Sequence, residues 1–393
     1  MTILHSGQNR EKWRTWRFDQ MAVNVNDRID NPSEADVEHY VGLEHLDTDS
    51  LKIRRWGSPS DVEATKLRFR KGDILFGRRR VYQRKVAVAE FDGICSAHAM
   101  VLRANPEVVV PDFLPFFMQS SLFMDLALEI SVGSLSPTIN WKTLANQQFS
   151  LPPIDEQKRV AALLKRIRGA IEAVADLEFS IEQLRRSYIV AAFSKLLQAH
   201  RVTKVSVAQA GEVLMGRQRA PQYDLGLSPR PYLRVANVYD GYIDTSDVKQ
   251  MDFSEEEFHR YKLLPGDVLL NEGQSRELVG RSSIFRGEIA DCCYQNTLIR
   301  FRSRTVSPEY AHHYFQFCLY TGRFISVSKQ TTSIAHLGVN RFAELSFPIP
   351  QPEVEIDITS NLARIEARLR ATSERITQLK KLERTTLQGE LLS

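Results

Sequence analysis

The stretch GRRRVYQRK sets Arg78, Arg79, Arg80, Arg84 and Lys85 just beyond a strand-like run, with Tyr82 and Gln83 among them. Guanidinium groups grip phosphates and can read guanine in bidentate fashion, and a glutamine amide can read adenine. Most such cations position a backbone and carry no sequence information. The plainer alternative is a solvated basic loop. From Leu51 to Lys85 the chain holds twelve Lys/Arg against three acids, a local excess suited to an anionic polymer although the whole chain carries only +4.

A second stretch, NEGQSRELVGRSSIFR, is less basic and offers Asn271, Gln274, Ser275 and Arg276 for base contact, with an ordinary polar turn as the alternative. Two further loops, SVGSLSPTIN and SKQTTSIAHLG, carry hydroxyls and amides suited to phosphate. Their candidates are Ser134, Thr138 and Asn140 in one, and Lys329, Gln330 and Thr331 in the other. Hydroxyls that merely close local turns would look the same.

Other chemistry finds no support. His39, His45 and the pair His312-His313 lack an HExxH pattern, and Cys95, Cys292, Cys293 and Cys318 show no CxxC spacing. There is no Walker A loop and no GxSxG elbow. NPSE at Asn31 lacks the second proline of an amino-methyltransferase motif, and FGRRR lacks the glycine spacing of a methyl-donor loop. The chain is expected to bind no metal and to catalyse nothing itself.

The elements that must position these loops come in two copies. Tyr40 in YVGLEHLD matches Tyr232 in YLRVANVYD, and RKGDILFG matches LPGDVLLN. FDGICSAHAMVLR resembles IADCCYQNTLIRFR, and FSLPPIDEQ corresponds to LSFPIPQPE. The partners lie 192, 194, 198 and 196 residues apart, in the same order. Short strands and turns dominate each copy. Helical stretches lie at PDFLPFFMQSSLFMDLAL and SPEYAHHYFQFCLYTGRFISVS, whose aromatic stripes (Phe113, Phe116, Phe117 and Phe123; Tyr314, Phe315 and Tyr320) read as core.

Each copy ends in a long amphipathic run. Pro152-Pro153 suits a helix's first turn, and Asp155 and Glu156 complement its positive end. Val160, Ile167, Val174, Ile181 and Tyr188 recur every seven residues. Leu163, Ala170, Leu177, Leu184 and Ala191 follow three positions behind, as an a/d seam requires. In the second run Ile358, Leu362, Ile365, Leu369, Thr372, Ile376 and Leu379 alternate four-three spacing, extended by Leu382, Leu387 and Leu391. Neither seam can be buried alone, so the two helices are expected to pair antiparallel.

The fold expectation is therefore α+β: globular parts at 1–152 and 200–348, and long helices at 153–199 and 349–393. No apolar run reaches the roughly 20 residues of a membrane span, and the N-terminus lacks a signal-peptide core, so a cytoplasmic location is expected.

With the junction PPIDEQ at Pro152–Gln157, its echo at Pro348–Glu353, and stretches such as YVGLEHLD and GSLSPTINWKTL, the whole chain resembles the specificity (S) subunits of type I restriction-modification systems. The resemblance implies two target-recognition domains held apart by an antiparallel coiled coil in a pseudo-two-fold tandem repeat, each reading half of a bipartite site in double-stranded DNA. It also implies two modification (M) subunits and restriction (R) subunits as partners, with methyl donor, ATP and magnesium on those partners and no cofactor here. Val354 stands where the second junction's glutamine would fall, so that junction is expected to dock differently. The competing readings are an enzyme with an unrecognised active site and a coiled-coil adaptor that binds only proteins.

Overall fold

A Gly-Asp turn organises each half of the chain. Gly72 and Gly266 sit at φ +92° and +97°, a left-handed conformation that side chains resist. The next residue closes the turn: Asp73 Oδ2 accepts from the Arg70 N–H and Asp267 Oδ2 from the Leu264 N–H, both at 2.8 Å. Each buried carboxylate also takes two guanidinium bonds. Arg103 donates to Asp73 at 2.8 and 2.9 Å, and Arg302 to Asp267 at 2.6 and 2.8 Å. The turn is thereby clamped to the strand that carries the arginine.

The computed structural model describes residues 10–199, 202–218, 226–330 and 334–392. Contacts divide it into two units: the chain up to Ala175 together with the segment from Glu374, and Asp176–Ser373. Each is a mixture of helix and strand, as expected for α+β. In the first unit an antiparallel sheet runs Ala22–Val25, Ala99–Ala104, Ile74–Gly77, Val86–Val88. In the second its counterpart runs Gly211–Met215, Leu298–Ser303, Val268–Asn271, Ser282–Ile284.

A second sheet in each unit contains one parallel pair. Tyr40–Val41 lies beside Gly93–Ser96, and Pro229–Leu233 beside Cys293–Tyr294. These are the YVGLEHLD/YLRVANVYD matches, so the sequence repeat is a repeat of strand pairing. All four cysteines are free and buried, and burial pushes each thiol up to about 12.

The aromatic stripes line the cores. Phe18, Phe117, Phe123 and Phe149 meet at ring separations of 5.2–6.0 Å in the first unit. Tyr310, Tyr314 and Phe317 gather around Phe193 at 5.3–5.7 Å in the second. The first stripe is two helices, Leu114–Gln119 and Ser121–Glu129, because Ser120 is extended and caps Phe123. The second breaks between Pro308–Tyr320 and Arg323–Val327 at left-handed Gly322.

The long helices span Ile154–Gln198 and Pro352–Leu392. In the first unit Arg159 pairs with Glu390 at 2.6 Å and Arg168 with Glu383 at 2.7 Å. In the second, the Asn361 amide donates to the Tyr188 hydroxyl at 2.9 Å and Ser373 donates to Glu178. Within each unit, then, numbering rises along one helix as it falls along the other.

Their buried faces correct one expectation. Val160, Ile167, Val174, Ile181 and Tyr188 do turn inward, but Leu163, Ala170, Leu177, Leu184 and Ala191 are all exposed, Leu184 at 58%. The companion row lies four residues behind, at Leu164, Ile171, Glu178, Arg185 and Ala192. Glu178 and Arg185 hide that row from a search for apolar residues: Arg185 is buried because Gln316 and Tyr320 accept from it at 3.1 and 2.8 Å. In the second helix every seam position from Ile358 to Leu379 is buried or half-buried, whereas Leu382 is exposed.

The two junctions differ. Gln157 is buried, accepts from the Val110 N–H at 2.8 Å, and donates to the Pro152 carbonyl at 2.9 Å. Val354 does not take its place and is exposed. Glu355 does: its Oε1 accepts from the Ser307 N–H at 2.6 Å. Val110 and Ser307 each precede a proline, Pro111 and Pro308. Both junctions thus anchor the N–H of a residue before a proline through a side-chain oxygen, but the second does so from Glu355, one residue beyond Val354, and without the bonds that the Gln157 amide donates, so it docks differently as expected.

Candidate nucleic-acid interface

Within each unit the structure brings the two nominated loops together. In the first, the N–H of Arg78 donates to the His98 carbonyl at 3.1 Å, while the Arg78 carbonyl accepts from Ile139 at 3.0 Å. Arg79 forms an isolated bridge with Thr138, and the Arg80 N–H donates to the Pro137 carbonyl at 2.7 Å. Arg79 and Arg80 both direct Nε to the Ser136 hydroxyl, at 3.0 and 3.3 Å. Arg78, Arg79 and Arg80 have no ion pair among the described residues, so their charge is uncompensated. His98 senses that field: desolvation, then the charges of Arg79 and Arg78, hold its pKa below the usual value.

The rest of the basic stretch is spoken for. Arg84 pairs with Asp49 at 2.7 Å and also donates to the Gln119 carbonyl. The Lys85 amine donates to the Leu43 carbonyl at 2.7 Å. These two hold the loop in place, while Tyr82 at its tip is exposed and Gln83 half-buried. Arg80 and Arg84 are both left-handed (φ 56° and 51°), a conformation costing a non-glycine residue about 1–2 kcal/mol, and they bracket the turn Val81–Gln83. In the facing loop Ser134 and Asn140 are exposed, and the Thr138 hydroxyl donates to the Ser136 carbonyl at 3.1 Å.

In the second unit the same meeting is made by a small sheet. Gly273–Gln274 pairs with Ala335–His336, which pairs in turn with Lys329–Gln330. His336 Nδ1 lies 3.0 Å from Glu272 Oε2, and Arg341 holds the His336 carbonyl at 2.8 Å. Arg276, Lys329 and Gln330 are exposed; Gln274 and Ser275 are half-buried, the Ser275 N–H donating to the Gln274 side chain at 3.0 Å.

Asn271 is the exception among these candidates. It is fully buried and its amide donates to the Val238 carbonyl at 3.3 Å, so it shapes the loop from inside and presents nothing to a ligand. Thr331 lies outside the described residues.

Ser136, Glu272, His336 and Arg341 were not nominated from sequence. Ser136 stands inside the nominated loop and was within reach of that reasoning. Glu272 and His336 are 64 residues apart, and nothing in their types or spacing joins them. The histidines set aside earlier are structural: His45 accepts from the Gly42 N–H at 3.0 Å, His39 stacks on Phe91 at 4.1 Å, and His312 and His313 are core. No group of three or more potential ligands for a metal ion occurs among the described residues.

Comparison with known proteins adds the following similarities. The family described as "Type I restriction modification DNA specificity domain" matches residues 61–183, a segment that includes the basic loop, its partner loop and the first junction. The specificity subunit of the type I restriction enzyme EcoDI of Escherichia coli is 27% identical over 182 residues, 43% of this chain and 40% of that protein. That of EcoKI from E. coli K12 is 26% identical over 239 residues, 56% of this chain and 51% of the relative. The matches thus span about half the length of these curated relatives.

Among solved structures, a chain from a study of type I R-M complex assembly and conformational transition superposes with a TM-score of 0.62, at 21% identity over 96% of this chain and 97% of the other. The type I S subunit from M. genitalium gives 0.55 at 13% identity, over 100% and 98%. At such identities the likeness speaks for the fold. The chain is thus similar to type I restriction-modification specificity subunits, and its residues 61–183 match the DNA specificity domain of that family.

Proposed function

From that similarity we propose that this chain is the sequence-recognition subunit of a type I restriction-modification complex. Its two globular parts, 1–152 and 200–348, are target-recognition domains that each read half of a bipartite DNA site. The helices 153–199 and 349–393 form an antiparallel coiled coil that sets the half-site spacing and docks two modification subunits, with restriction subunits joining that core. The chain itself catalyses nothing; methyl donor, ATP and magnesium belong to the partners. It works in the cytoplasm, and no helix among the described residues is long and apolar enough to cross a membrane.

One observation carries this reading: in both units two polar or basic loops, far apart in sequence, meet, and they carry cations that have no acidic partner among the described residues. Unpaired arginines release counterions from DNA and supply salt-dependent affinity, while side chains between them reach base edges. The divergence of the two loop sets, arginine-rich in the first unit and amide- and hydroxyl-rich in the second, supports readers of unlike half-sites.

The test uses the full chain with its modification partner. Methylome sequencing of a host carrying both yields the site, and a duplex bearing that site serves as probe. Arg78→Ala/Arg79→Ala/Arg80→Ala should weaken binding and flatten the slope of log K against log salt by about one to three. Unchanged affinity with unchanged methylation would refute the reading.

A further inference from the structure

The loops that meet in each unit also expose large apolar side chains, which polar loops seldom do at several matched places. In the first unit Tyr82 is 53% exposed and Leu135 is 91% exposed. In the second Leu278 is 39% and Ile334 46% exposed. Among the described residues Leu135 is the most exposed large apolar side chain. Single apolar residues scattered on a surface need no explanation. Here one stands on each of the two converging loops, and the pattern recurs in two copies whose loop sequences have diverged.

The presentation is matched as well. The first hairpin is closed by the Gly77 N–H donating to the Lys85 carbonyl, and the second by the Asn271 N–H donating to the Arg281 carbonyl, both at 2.9 Å. Just before each closing residue the chain is left-handed, at Arg84 (φ 51°) and at Gly280 (φ 80°). Tyr82 and Leu278 stand two residues before those positions. A buried valine adjoins each tip, Val81 beside Tyr82 and Val279 beside Leu278, so the core-facing place is taken and the tip residue is held outward. Leu135 crowns a loop tied at its base by mutual bonds between Val132 and Thr138 at 3.0 Å. Ile334 lies over Gly273, where any side chain would meet it and the His336 ring.

We infer that Leu135 with Tyr82, and Leu278 with Ile334, are specificity-determining residues that touch bases directly through apolar contact. This rests on the proposed DNA-recognition role and assigns the reading to different residues from the arginines. Apolar side chains recognise a thymine methyl or insert against a base step, and they do so without adding salt dependence. The surrounding arginines supply affinity, and the tips supply discrimination.

The experiment compares methylomes of hosts carrying the full complex with Leu135→Ser, Leu278→Ser, the triple arginine variant, or Leu135→Met and Leu278→Met. Because the leucines are exposed, the serine variants should keep the wild-type unfolding temperature. Leu135→Ser should cost about tenfold in discrimination at one or two positions of one half-site, and Leu278→Ser likewise in the other half-site only. Complete loss of methylation with unchanged binding to non-specific duplex would count as the stronger form of the same result. The methionine variants should keep the wild-type site. Wild-type half-sites in both serine variants, with methylation lost in the arginine variant, would overturn the inference and leave the DNA-recognition role standing. One leucine variant blurring both half-sites equally would overturn it too. If neither leucines nor arginines matter, both fall.

Discussion

The two junctions make a reciprocal prediction. Gln157 uses both ends of its amide: the oxygen takes the Val110 N–H at 2.8 Å, and the nitrogen serves the carbonyls of Pro152 at 2.9 Å and Val108 at 3.4 Å. Gln157→Glu keeps the acceptor but points a carboxylate oxygen without a proton at two carbonyls, inside a site that is 1% exposed. Two donated bonds are lost and a charge is desolvated, for a cost of about 3 kcal/mol. Glu355 in the other copy only accepts, from Ser307 at 2.6 Å, and is half-buried. Glu355→Gln keeps that acceptor and surrenders only charge assistance near a helix N-terminus, for less than about 1 kcal/mol. Amide hydrogen exchange reads each junction separately, at Val110 and at Ser307, and calorimetry of the full chain gives the total. Gln157→Glu within about 0.5 kcal/mol of wild type, or Glu355→Gln as costly as Gln157→Glu, would refute the reasoning.

Three further outcomes are expected. Asp267→Ala should destabilise by about 3 kcal/mol and Asp73→Ala by about 2, because the stranded Arg302 and Arg103 side chains are 32% and 47% exposed and differ in how far water compensates them; equal thermal shifts would contradict this ranking. Gly280→Ala forces a side chain at φ +80° into the Phe324 ring, and should cost more than about 2 kcal/mol while altering only one half-site in the methylome. His312 is pushed down to about 3, first by burial and then by His313, Arg185 and Arg286. The unfolded chain therefore binds the proton first, so stability is full above about pH 6.5 and falls as pH drops toward 3. An unfolding slope of about 1 kcal/mol per pH unit from His312, to which buried His313 adds because burial lowers it too, is expected to shrink in His312→Phe and to flatten only when both histidines are replaced.

Much of the architecture could be read from the residues because repetition multiplies weak signals. A Gly-Asp pair alone is a turn, but RKGDILFG and LPGDVLLN in corresponding places marked the two central strands. Pro152-Pro153 stand just before the first long helix at Ile154, but Pro348 belongs to the strand Ser346–Ile349 and the second helix begins only at Pro352. The prolines misplaced the second junction by one residue, since Glu355 and Gln157 share only an acceptor oxygen and not a residue type. The heptad reading failed at Leu163, Leu177 and Leu184 because the inward row is completed by Glu178, half-buried and bonded by Ser373, and by Arg185, buried with Glu182 and Gln316 as partners. At the surface, residue type nominated loops that meet within each unit, but only three-dimensional contacts separated displayed side chains from scaffolding. Arg84 and Lys85 look like Arg79 and Arg80 in the sequence, yet they are tied to Asp49 and Leu43. Asn271 looked like a reader and is core.

The closing bonds of the two hairpins use main-chain atoms at both ends, Gly77 with Lys85 and Asn271 with Arg281. Neither bond depends on what lies between, and the second loop is already two residues longer than the first. Such a hairpin behaves as a cassette. New tips can be exchanged into either frame by recombination or by design, without renegotiating the sheet beneath, provided that the residue before the closing bond tolerates a left-handed turn.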